Sequence, residues 1–146
     1  MGIEMKMTQE DKNLLIKDLC ARLPYGLIVS YTEFEYGIKS KHIFSNLEVW
    51  NNEVRDGTAL VVCDRGHSKY YIEEIQPYLR PMSSMTKEEQ DEYLDLIIPV
   101  DGGKGVIEEE KFSKVLNFYN SHHLDYNGLI PKGLALEATE DMYNES

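Results

Sequence analysis

"TALVVCDRGHSKYYIEEI", Thr58 to Ile75, sets two runs of strand-forming residues on either side of a cluster of turn formers. Thr58–Cys63 is short, apolar and partly β-branched, which suits a buried strand, and Lys69–Ile75 brings two tyrosines and two isoleucines, which suits another. The Asp, Gly and Ser of Asp64–Ser68 are residues that close turns. A hairpin here makes the middle of the chain a β-sheet, and the segments upstream agree. Leu27–Tyr31 ("LIVSY") reads as a strand, Gly37–Trp50 ("GIKSKHIFSNLEVW") as a pair of strands, and Asn51–Gly57 ("NNEVRDG") as the turn after them. Nine of the 15 aromatic residues fall in the first 80 positions, so the β core is expected there. Four or five short strands in roughly 50 residues fit a small antiparallel sheet or an SH3-like barrel.

On either side the hydrophobic period becomes helical. Thr8 stands three before Asp11, a weakened capping box, and Leu15, Leu19, Cys20 and Leu23 recur at helical spacing before Pro24 stops the run. Thr86 and Glu89 make a full capping box for a second helix with a Leu94/Ile97/Ile98 stripe, ended by Pro99. "VDGGKG" is a loop, and a third helix starts near Val106. Glu108, Glu109 and Glu110 occupy its first turn, while Phe112, Val115, Leu116 and Tyr119 give it one apolar face. The polar tail from Ala138 is expected to fray. The expected organisation is one α+β domain over 1–146: helix 8–23, β-rich unit 26–80, two helices in 86–123 packing on the sheet, and an irregular segment 124–146.

The composition excludes several function classes. With 42% hydrophobic and 28% charged residues the chain is that of a folded globular protein. It has no apolar run of membrane-spanning length and no secretory stretch at its start, so a cytoplasmic location without a membrane partner is expected. Cys20 and Cys63 stand far apart in unlike contexts, which suits reduced, buried thiols rather than a disulfide or zinc framework. The net charge is −11, and it is uneven: 10 basic against 12 acidic residues through Arg80, then 5 against 14. Nucleic-acid binding needs a basic face and is disfavoured; an acidic surface that mimics nucleic acid is an alternative use of this charge.

Several segments suggest chemistry and fail on its requirements. "CDRGHSK" offers Cys63 and His67, but a phosphatase loop needs an arginine where Lys69 stands, and lysine lacks the planar fork of donors. "DGGKG" lacks the spacing of a phosphate loop. "SHHLDYNGLIPKG" (Ser121–Gly133) holds His122, His123 and Asp125, a candidate metal or hydrolytic cluster. On a helix, adjacent histidines diverge by about 100°, and a shared metal needs ligands three or four residues away, where Phe118, Tyr119 and Asn120 stand. Helix termination is the simpler use, with Asn127-Gly128 turning the chain beyond it. No metal or other cofactor is expected. For binding, the strongest candidates are Tyr31, Tyr36, Trp50 and Tyr70, aromatic residues of the β unit beside acidic Glu33 and Glu35, a combination suited to a basic peptide.

Three segments, "KDLCARLPYG", "PYLRPMSSMT" and "HHLDYNGLIPKGLALEA", carry a resemblance. In their order the chain is similar to a large family of short proteins from gut-associated Bacteroidales and their phages, over about Asp11 to Ala138. It differs from that pattern at Asn127, where arginine is frequent, and in a longer segment around Ser40 to Asp56. No activity or catalytic residue comes with the resemblance. It implies a phage-associated or mobile-element accessory protein, and such proteins are commonly small binding proteins or inhibitors. The expectation is therefore a non-enzymatic protein-binding module.

Overall fold

The computed structural model describes residues 7–33, 36–50, 58–97, 108–139 and 141–143. Helix α1 (Gln9–Ala21) starts as its sequence requires: the Thr8 side chain accepts from the Asp11 N–H, and the Asp11 carboxylate accepts in return from Thr8 N–H. Its Leu15 and Leu19 face the sheet core. Pro24 stands in a short 3₁₀ turn, Leu23–Tyr25, and Gly26 follows at φ 68°, a left-handed conformation that glycine adopts without penalty.

Six strands follow in chain order: β1 (Ile28–Thr32), β2 (Lys39–Trp50), β3 (Thr58–Cys63), β4 (Ser68–Tyr71), β5 (Ile75–Leu79) and β6 (Leu136–Glu137). They form one sheet in the order β4-β3-β2-β1-β5-β6. The α+β class is as expected, with three corrections of detail. Gly37–Trp50 holds a single strand, Lys39–Trp50, rather than a pair, although its two halves act separately: Lys39–Ile43 pairs β1, Phe44–Trp50 pairs β3, and a bulge at Ser45 separates the registers. Lys69–Ile75 is not one strand, because a 3₁₀ turn at Ile72–Glu74 buries Ile72 and releases β5 to pair β1. The sheet is mixed, since β6 joins β5 in parallel, and it is open: no ladder connects β4 to β5 or β6 among the described residues, so the expected SH3-like barrel is not seen closed.

The sheet nevertheless curls strongly. In a flat sheet β4 and β1, three strand spacings apart, lie roughly 14 Å from each other. Here the rings of Tyr70 on β4 and Tyr31 on β1 stack with centroids 4.0 Å apart. The bulge supplies the bend that lets the β3–β4 hairpin fold back over β1. Leu27, Val29, Phe44, Val61, Cys63, Ile72, Ile75 and Leu79 fill the space inside, closed by Leu15 and Leu19 of α1 and by Leu129, Leu134 and Ala135 from the C-terminal segment.

Helices α2 (Lys87–Ile97) and α3 (Glu108–Ser121) depart from their expected packing. Thr86 and Glu89 form the capping box that the sequence requires. But α2 buries no residue fully, and Leu94 and Phe112 are 46% and 63% exposed. The two helices meet each other through Tyr93 against Phe118 and Tyr119, so Tyr119 of the expected α3 face packs on α2. No helix among the described residues is long and apolar enough to cross a membrane. The "VDGGKG" loop, Val106, Ile98 and Pro99 lie outside the described residues.

Candidate functional site

The three segments of the resemblance converge, but in a structural knot. Arg22 donates from Nε and Nη2 to the two carboxylate oxygens of Asp18, at 2.6 and 3.1 Å, and also from Nη2 to the Leu124 carbonyl at 2.7 Å. Both side chains are 0% exposed. Asn127 Nδ2 donates to the same Asp18 carboxylate at 2.8 Å, and the Arg22 guanidinium lies over the Tyr126 ring. Arg80 exchanges backbone hydrogen bonds with His123 and Asp125, and its guanidinium grips Glu89 with two bonds of 2.7 and 2.9 Å. That grip holds the Glu89 carboxyl at about 2, helped by the Thr86 N–H and by the Arg80 charge, against the opposing effect of burial.

The histidine cluster is dispersed within this knot. His122 Nδ1 faces Glu89 Oε2 at 3.2 Å and does not meet Asp125. Asp125 is buried and accepts the backbone N–H groups of Leu129 and Ile130, which caps the turn that returns those side chains to the core. His123 has φ 60° and is itself the left-handed residue that ends α3, and Gly128 follows at φ 71° in the turn expected beyond the helix. Its ring is buried and stacks on Tyr143 at 3.7 Å. Burial first, and the charges of Arg22 and Arg80 next, lower its pKa to about 4, so the ring is neutral near pH 7. Tyr143, expected to fray with the tail, instead ties it down: its hydroxyl accepts from Ile28 N–H and donates to the Tyr78 carbonyl, both at 2.8 Å. Among the described residues no cluster of three His, Cys, Asp or Glu side chains is arranged to hold a metal ion.

The aromatic β surface is different in kind. Tyr31 and Tyr70, both half-buried, stack as described, and Tyr70 Oη lies 3.1 Å from His42 Nε2. Tyr36 stands apart at the tip of the β1–β2 hairpin, 70% exposed, and Ile38 beside it is also exposed. Trp50 ends β2, and its side chain lies outside what the structure describes. Two carboxylates act on the Tyr31 hydroxyl: Glu74, next to its cross-strand partner Ile75, and Glu33, two residues on. Burial first, then these two charges, raise its pKa.

Under the stacked rings runs a chain of polar groups. Ser40 and His42, alternate residues on one face of β2, place Oγ 2.8 Å from Nε2. His42 Nδ1 lies 2.6 Å from Asp64 Oδ2, and Asp64 Oδ1 accepts the Ile43 N–H at 3.1 Å. A carboxylate only accepts, so His42 carries its proton on Nδ1 and turns Nε2 towards Ser40 and Tyr70. Burial pushes the Asp64 carboxyl up, but the hydrogen bonds from His42 and the Ile43 N–H together outweigh it and hold the group below its ordinary value. Asp64 (φ 54°), Arg65 (φ 60°) and Gly66 (φ 95°) take the left-handed region in succession, which turns the chain sharply enough to aim the carboxylate back at β2. Arg65 N–H donating to Ser45 Oγ anchors this turn on the bulge.

Sequence reasoning singled out Tyr31 and Tyr70 and missed Ser40, His42 and Asp64. It weighed "CDRGHSK" for Cys63 and His67; Cys63 is buried with its thiol pushed up to about 12, mainly by burial, and His67 is exposed. The residue between them that matters is Asp64, and the available signal was Ser-x-His alternation on a strand together with a turn opened by Asp. Cys20, expected to be buried, is exposed. No family model, curated protein or solved structure matches the chain.

Proposed function

We propose that the chain is a protein-binding module of the phage or mobile-element accessory kind, and that its Tyr31/Tyr70 surface takes a basic segment of a partner protein. The observation that carries this is the half-exposed tyrosine stack with Glu33 and Glu74 acting on Tyr31, and exposed Tyr36 and Ile38 on the β1–β2 hairpin that follows it. A lysine or arginine side chain over the face of a tyrosine is attracted by the ring quadrupole, and two carboxylates beside it add Coulombic attraction. The exposed hairpin extends the contact with apolar area. The chain's net charge of −11 favours encounter with a basic partner.

The test is an amide-resolved NMR titration with two peptides of equal length, one rich in Arg and Lys and one in Asp and Glu. Shifts are expected at Tyr31, Tyr36, Ile38 and Tyr70 with the basic peptide alone, weakening as salt is raised. Tyr36→Ala, at a position 70% exposed, is expected to weaken binding by at least ~10-fold if the hairpin is part of the contact surface. Shifts confined to α2 and α3, or equal responses to both peptides, would overturn the proposal.

A further inference from the structure

The Asp64–His42–Ser40 chain has the order of groups that activates a hydroxyl for nucleophilic attack. The carboxylate fixes the imidazole tautomer through Nδ1, and its second oxygen is held by a backbone N–H, so its orientation is set twice. Nε2 is then the free base, and Ser40 Oγ lies on it at 2.8 Å. The left-handed backbone at Asp64 is the conformational cost of aiming that carboxylate. All three side chains reach solvent: His42 is 15% and Asp64 34% exposed, and Ser40 is half-buried opposite Tyr31.

We propose that Ser40 is a nucleophile, activated by His42 and Asp64, that accepts an acyl group from a carboxylic ester. Ser40 Oγ bonds to the carbonyl carbon while its proton passes to His42 Nε2, and the carbonyl π pair moves onto oxygen. The intermediate collapses, the ester C–O bond breaks, and the departing alkoxide takes the proton from Nε2. Water repeats the sequence on the acyl-serine, so ester and water leave as acid and alcohol without an oxidant or reductant. Tyr70 has a defined part. Nε2 has one lone pair, and two hydroxyls border it, Ser40 Oγ at 2.8 Å and Tyr70 Oη at 3.1 Å. Once Nε2 holds the serine proton it no longer accepts, and the Tyr70 O–H turns to the nearest new acceptor, the oxyanion. His42 and Tyr70 serve directly as base and oxyanion donor; Asp64 is a positioning residue, acting through His42.

The test treats the whole folded chain with an alkyl fluorophosphonate, which phosphonylates activated serines, and follows intact mass, peptide maps and rate against pH. One adduct per chain on Ser40 is expected. Ser40→Ala is expected to abolish it, His42→Ala to slow it by ~100-fold or more, and Asp64→Asn, which keeps a residue tolerant of positive φ, to slow it by ~100-fold and alter the pH profile. Tyr70→Phe keeps the ring and is expected to slow a p-nitrophenyl ester burst by ~10- to 100-fold. Amide spectra establish that each variant is folded. No adduct beyond that of the unfolded chain, an adduct on another residue, or a rate unchanged in folded Asp64→Asn would each overturn the proposal. The labelling needs no peptide, so it succeeds or fails separately from the binding titration.

Discussion

Two polar clusters in this chain are built from the same materials, an aspartate and a cationic or imidazole partner, and come to opposite ends. Asp18–Arg22 is sealed, with both side chains 0% exposed and further hydrogen bonds to the Leu124 carbonyl and from Asn127. His42–Asp64 is part-exposed, and the far side of its imidazole carries two hydroxyls. In the first every strong contact is intramolecular and joins distant segments, which makes it a clasp. In the second the polar chain ends on part-exposed groups that solvent reaches, where the proposed recognition and chemistry take place. Burial, not residue type, separates the two roles.

The largest expected effect breaks the clasp. Arg22→Met leaves the Asp18 carboxylate buried without its cation and is expected to destabilise by about 3–5 kcal/mol, read from urea unfolding. Asp18→Leu with Arg22→Met removes both charges and is expected to recover most of that loss, because no uncompensated charge stays buried. A small loss in the single variant would show that the clasp does not hold the C-terminal segment.

His123, packed beside the clasp, sets an acid limit. Its folded pKa of about 4 lies below its ordinary 6.5, so the unfolded chain binds the proton first. Stability is therefore complete above pH 6.5 and is lost as pH falls towards 4, by about 3 kcal/mol. His123→Asn keeps a residue tolerant of φ 60° and is expected to flatten that slope in pH-dependent unfolding. Glu89 acts in a lower window. With its folded pKa at about 2 against 4.5, its contribution is present above pH 4.5 and fades as pH falls towards 2. Glu89→Gln is expected to remove about 1–2 kcal/mol at pH 7 after solvent screening and to flatten stability between those limits.

The smallest expected effect on stability sharpens the contrast. Asp64→Asn is expected to cost less than ~1 kcal/mol in the same urea experiment, since its pair is part-exposed, while altering the reactivity of Ser40 strongly. A loss as large as that of Arg22→Met would make His42–Asp64 a second clasp and remove the distinction.

Legibility followed the reach of each interaction. Thr8/Asp11 and Thr86/Glu89 announced two helix starts because a cap involves residues three apart. Thr58–Cys63 announced β3, because its apolar, partly β-branched run suits a strand buried beside its neighbours. Leu94 and Phe112 misled for the same local reason: an apolar stripe states that a face can be buried, and of the expected α3 stripe Tyr119 meets α2 while Phe112 stays exposed. Lys69–Ile75 misled because Ile72 could enter the core only by breaking the strand.

By itself the sequence determined the helix–sheet–two-helix order through α3, the capped helix starts, the turn at Asp64–Ser68 and the aromatic content of the β unit, but not β6, which lies in a segment expected to be irregular. All of these are short-range consequences of side-chain shape and backbone hydrogen bonding. Only the tertiary structure decided that β2 bends at Ser45, that Tyr70 reaches Tyr31, that Asp64 meets His42 across 22 residues, and that Asn127 meets Asp18 across 109. Such contacts form when packing brings distant segments together, and nothing within a few residues of either partner specifies them.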